Sequence, residues 1–231
     1  MRTAERTPSL AVLPEMVRDA SLIWLAGGIV GVSFGAIAVA GGLPAWVPVA
    51  MSLLVYAGSA QFSAVGVLLA GGGPLAATAT GLLLNTRTAA YSLAVADILG
   101  TGRLARLTGA HLVTDETVAF ALAQQDPLRR RTAFWVSGLG LFAAWNAGVL
   151  IGALAGGALG DTDTYGLDAA FPAVLVALTL PAVRKDARVR RSALLGAVVA
   201  VAVTVTPGVP AGVPVLLALV GLVLYRRGAT A

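Results

Sequence analysis

The stretch 82–94, LLLNTRTAAYSLA, sets an amide and a guanidinium inside an otherwise apolar run. Residues 74–99 are about the length that spans a bilayer, and Asn85 and Arg87 fall near the middle of them. A charge at that depth is costly, so it faces a cavity, a partner carboxylate or a ligand. On one continuous helix Asn85 and Arg87 point about 200° apart, whereas Arg87 and Tyr91, four residues apart, share a face. Either the helix breaks near Asn85 and exposes backbone groups, as transporter sites often do, or the two residues serve different partners. The plainer alternative is an Arg87 that only ties two helices together through a salt bridge.

Other polar groups recur at similar depth. Ser33 and Phe34 interrupt a stripe of Gly27, Gly31 and Gly35 and are candidates to line a cavity, although helix packing accounts for the stripe itself. The motif YAGSAQF at 56–62 brings Ser59 and Gln61 into the second apolar run, and Gln61 needs a hydrogen-bond partner there. The segment 111–125, HLVTDETVAFALAQQ, is too short and too polar for an ordinary span. Its Thr114-Asp115-Glu116 reads either as a helix N-cap or as carboxylates reaching inward, as counter-ion to Arg87 or proton carrier.

What positions these residues follows from composition. Hydrophobic residues make up 58% of the 231 and charged residues 12%, with a mean hydropathy of +0.86. No soluble domain of this size tolerates that on its surface, so the chain is expected to be all-α, a polytopic helix bundle in a bilayer. The pI of 10.4 does not indicate nucleic-acid binding, because the basic residues sit in short clusters between apolar runs and mark topology. There is no cysteine, and His111 is the single histidine. Metal, cofactor and thiolate chemistry are therefore not expected. An intramembrane enzyme is disfavoured, since no serine lies in a recognisable nucleophile setting. Basic residues are arginine apart from Lys185, a bias that suits a GC-rich bacterium and an inner (plasma) membrane location. Residues 1–20 mix Arg2, Arg6 and Arg18 with Glu5, Glu15 and Asp19 and show no cleavage pattern. They are expected to be a retained polar tail that ends in a short interfacial helix, followed by one membrane domain over 21–231.

Spans are expected at 21–40, 46–70 and 74–99, then at 133–157, with a further apolar run after the acidic loop GDTDTYGLD and a last pair at 192–206 and 213–225. Arg103, Arg106, Arg129, Arg130 and Arg131 read as cytoplasmic, and Asp161, Asp163 and Asp168 as outside. Gly42-Leu43-Pro44-Ala45, Pro48 and Leu54 match Gly166-Leu167-Asp168-Ala169, Pro172 and Leu178 at a constant offset. The glycines Gly27, Gly31 and Gly35 match Gly148, Gly152 and Gly156 at a nearly equal one. Two related halves, about 21–108 and 133–225, are expected, with a site at their interface. The preferred layout has about seven spans, inverted halves, and 111–125 re-entrant or interfacial; the competing one starts inside and crosses eight times.

Four runs, SFGAIA at 33–38, YAGSAQF at 56–62, LLLNTRTAAYSLA at 82–94 and LVTDETVAFAL at 112–122, resemble the AzlC family, the large subunit of bacterial branched-chain amino-acid exporters. The resemblance covers nearly the whole chain, from about Ser33 to Arg227. It implies export of branched-chain amino acids and analogues, and a small multi-span AzlD-type partner subunit. Two departures stand out: Ser33 precedes Phe34-Gly35 where the family often has proline, and Thr88 follows Arg87 where it often has histidine. For such a solute, Arg87 would clamp the carboxylate, with Asn85 and Gln61 as hydrogen-bond partners. Asp115 or Glu116 would face the ammonium or couple a proton, and Phe34 and Tyr91 would form an apolar wall. A channel or scaffold subunit, in which these polar groups only hold helices together, is the competing class.

Overall fold

The computed structural model describes residues 12–158, 176, 180, 183–209 and 213–222; their regular structure is helical, with no strand among them. In chain order the helices are α1 (Val12–Ala40), α2 (Trp46–Leu54), α3 (Gly58–Leu69), α4 (Pro74–Ala94), α5 (Arg103–His111), α6 (Asp115–Leu122), α7 (Pro127–Ala158), α8 (Ala187–Thr204) and α9 (Val213–Leu217). Among the described residues two stretches, Leu13–Ala40 and Pro127–Gly157, are long and apolar enough to cross a membrane. The chain divides into a unit of Met1–Gly58 with Asn85–Gly160 and a unit of Ser59–Leu84 with Asp161–Ala231.

The first unit is built on α1 against α7. Their glycines bring the two backbones into contact: a Cβ added at Gly31 would lie 2.6 Å from the Trp145 carbonyl oxygen. Gly35 rests on Val149, Gly148 on Gly28 and Val32, and Gly152 on Val32 and Ala36. Residue numbers rise together along the two helices, so they run parallel. At their N-terminal ends Arg129 pairs with Glu15 at 3.2 Å, and Trp24 Nε1 donates to the Ser137 carbonyl at 3.1 Å. This corrects the inverted arrangement for this pair, because helices equated by an inverted repeat run in opposite directions. The two glycine stripes face each other, and close backbone approach explains their likeness. The other half of the expected repeat, 166–178, lies almost wholly outside the described residues, as do Asp161, Asp163 and Asp168.

Helix α1 starts at Val12, earlier than the expected 21. The polar stretch continues the helix because Met16 and Ala20 are buried and Glu15 is held by Arg129. The helix also runs unbroken through Ser33, whose hydroxyl donates back to the Ile29 carbonyl at 3.2 Å. Away from α7, Leu22, Leu25 and Ile29 are exposed, as are Leu150, Ile151 and Leu154 of α7. Such apolar faces suit lipid.

Helix α2 runs antiparallel to α7, with Ser52 bonded to Asn146 and Tyr56 against Phe142. It has nine residues, about 13 Å or less than half the thickness of a bilayer core. It ends because Tyr56 turns into the left-handed region at φ +43°, and the Val55 and Tyr56 amides both bond back to the Met51 carbonyl. A left-handed residue closes many helices, but it is usually glycine; a tyrosine there costs roughly 1–3 kcal/mol. The break therefore falls at Tyr56, and α4 is continuous through Asn85, which rules out the broken-helix alternative for that position.

Helices α5 and α6 form a hairpin that begins and ends beside the N-terminus of α7. Gly100, ahead of α5, lies near Arg131, and Asp126, after α6, accepts from the Arg129 amide at 2.9 Å. Its tip reaches further along α7, where Leu112 packs on Gly138 and His111 on Phe142. In the second unit α8 packs against the 3-10 helix Ala218–Gly221 that follows α9, with Gly196 against Ala218 and Gly221 against Ser192.

Candidate functional site

The polar groups of α4 face different partners, as continuity of that helix requires. Arg87 Nη2 lies 3.6 Å from Asp115 Oδ1 on α6, and the two side chains are 46% and 51% exposed. Asn85 Oδ1 accepts from the Thr88 hydroxyl at 2.7 Å, one turn along the same helix. Thr88, which departs from the family pattern, thus occupies the Asn85 carbonyl.

Asp115 is held by local chemistry. Thr114 caps α6 by accepting from the Thr117 amide at 3.2 Å, while the Thr117 hydroxyl accepts from the Thr114 amide at 2.9 Å. This reciprocal box sets Asp115 and Glu116 in the first turn, where the helix dipole favours carboxylates. The N-cap and the counter-ion readings of this segment are therefore one structure: the cap aims Asp115 at Arg87. Both pair members are half exposed and their contact is long, so it is weak as a tether and accessible to a competing ion.

The remaining candidates are placed as follows. Tyr91 lies one turn beyond Arg87, partly exposed, as the four-residue spacing implied. Phe34 is fully buried and stacks on Trp145 with ring centroids 6.2 Å apart, inside the α1–α7 core. Gln61 is fully buried on α3 and belongs to the second unit. Glu116 is exposed beside Asp115. The foot of α4 is anchored by Arg130, which donates to the terminal Ala94 carbonyl at 2.8 Å and pairs with Asp97 at 3.6 Å.

A second polar cluster, unforeseen as such, surrounds the break after α2. The Ser52 hydroxyl donates to Asn146 Oδ1 at 2.7 Å, and Asn146 Nδ2 donates to the Phe142 carbonyl at 2.8 Å. His111 Nε2 lies 3.0 Å from the Leu53 carbonyl oxygen. Tyr56, His111 and Phe142 form an aromatic group with centroids 4.9–5.7 Å apart. Tyr56 is buried, and its hydroxyl has no hydrogen-bond partner among the described residues. The sequence signal was the motif YAGSAQF beside the lone histidine, but nothing in it joined the two.

The AzlC protein family model matches residues 23–159, more than half of the chain. The chain belongs to the AzlC family. The match takes in the α1–α7 pair, the break after α2, Arg87 and the α5–α6 hairpin. Membership, together with the two long apolar helices, makes the chain a membrane protein of a transport-associated family. No curated protein and no solved structure matches the chain.

Proposed function

We propose that the chain is the large subunit of a two-component secondary transporter that exports branched-chain amino acids or analogues such as azaleucine across the inner membrane. The observation that carries this reading is the loose, half-exposed pair of Arg87 and Asp115. A zwitterion matches it charge for charge. The solute carboxylate takes the guanidinium, which offers two parallel donors, and the solute ammonium takes Asp115. The protein pair opens as the solute pair forms, so neither charge is left uncompensated. Asn85, Tyr91 and Phe34 are proposed to complete the site, and Glu116, the exposed acid beside the pair, to carry the coupling proton.

A charged pair cannot face hydrocarbon, and the middle of α4 from Leu82 to Leu84 is exposed along with Arg87. That supports a covering partner, the small AzlD-type subunit. If Arg129, Arg130 and Arg131 mark the cytoplasm, then the start of α1, joined to them through Glu15, is cytoplasmic too.

The pair also joins α4 to α6, which favours the scaffold reading as the alternative. Efflux of labelled leucine from cells expressing each subunit alone and both together separates the two. Transport requires that Arg87→Ala, present in the membrane at normal levels, lose export; full export by that variant would refute the role.

A further inference from the structure

We infer that His111 is a positioning residue that latches the broken second helix to the α5–α6 hairpin through the Leu53 carbonyl. The inference rests on the transport reading only for what the latch serves. Leu53 lies in the last turn of α2, where the helix end removes the donors that would come from the next turn. A carbonyl oxygen can only accept, so at 3.0 Å the His111 Nε2 carries the proton and donates. A neutral ring with its proton on Nε2 and a charged ring both hold that proton, so the bond does not depend on the charge of the imidazole.

Three further contacts make this a latch rather than a chance approach. The His111 ring packs edge-on against Phe142 of α7 and lies 5.7 Å from the Tyr56 ring. Tyr56 is the residue in the left-handed conformation, and no other described non-glycine residue has positive φ. Its ring in turn meets Phe142 at 4.9 Å. The histidine therefore touches the strained residue, the carbonyl released by the bend, and the helix behind both. The chain passes into the second unit directly after this bend, between Gly58 and Ser59.

The test uses the full chain, which has no native cysteine. Ala57→Cys is introduced beside the bend, and its labelling by a water-soluble maleimide is followed in membranes, with leucine efflux measured in the cysteine-free protein. Glutamine places an amide N–H near the position of Nε2, whereas leucine fills space without a donor. His111→Gln should keep labelling and efflux near the parent values. His111→Leu should raise labelling about fivefold, the factor that one ordinary hydrogen bond sets in an opening equilibrium, and reduce efflux. Parent-like labelling in His111→Leu would overturn the latch, because filling the space would then suffice. Equal increases in both variants would overturn it as well, because the imidazole itself would then be needed. The expected labelling pattern in a parent protein that exports nothing would leave the latch standing and bring down the transport reading alone.

Discussion

The centre of α4 and the end of α2 both set polar groups within apolar surroundings, yet they are built in opposite ways. On α4 the backbone is unbroken and the side chains carry the polarity: Arg87 reaches a half-exposed Asp115 over 3.6 Å. At the end of α2 the backbone itself is broken, and side chains of neighbouring helices close the gap: His111 on Leu53, Asn146 on Ser52, Phe142 on Tyr56. A slack, accessible pair gives little stability and can exchange partners, whereas a cluster packed around the buried Tyr56 ring holds shape. Under the proposed function, solute binding belongs to the first region and architecture to the second.

The sharpest way to break that division is to remove the Tyr56 ring. Tyr56→Ala should cost about 3–5 kcal/mol, the range for losing a buried aromatic side chain, read as a fall in unfolding midpoint of the purified protein. Arg87→Gln should do the reverse, lowering leucine efflux about 100-fold, or ~3 kcal/mol for an ionic clamp, with an unfolding midpoint near that of the parent. Asp115→Asn retains hydrogen bonding to the ammonium without its charge, so efflux should fall about tenfold, while stability shifts by less than ~1 kcal/mol as for other exposed pairs. Smallest is Ser52→Ala, which removes one interhelical hydrogen bond. It should cost about 0.6 kcal/mol, the average for such bonds in a membrane, and leave efflux unchanged. Loss of efflux from Ser52→Ala at unchanged stability would place transport chemistry in the second region and dissolve the contrast.

The helical class was legible because 58% hydrophobic composition leaves few alternatives, and Arg87 stood out as a charge in a long apolar run. Its pairing with Asp115 was among the stated possibilities, and the four-residue spacing placed Tyr91 correctly on the same face. The two glycine stripes were visible, but one sequence cannot distinguish equivalent surfaces from complementary ones. Here they pack against each other in parallel, and reading them as inverted equivalents gave α1 and α7 the wrong relative direction. The break at Tyr56 was hidden for another reason: the left-handed position holds a tyrosine, with Gly58 two residues further on, and a tyrosine is held in that conformation by tertiary contacts. Thr114 showed the opposite case, since a cap is local chemistry and the run Thr-Asp-Glu announced it.

The central claim is that Arg87 receives a carboxylate. Equilibrium binding of leucine and of leucine methyl ester, which lacks the anionic oxygen, to the purified parent and to Arg87→Gln tests it most directly. The parent should bind leucine more tightly than the ester by about tenfold or more, and the variant should bind the two alike. Undiminished preference for leucine over its ester in Arg87→Gln would contradict the account.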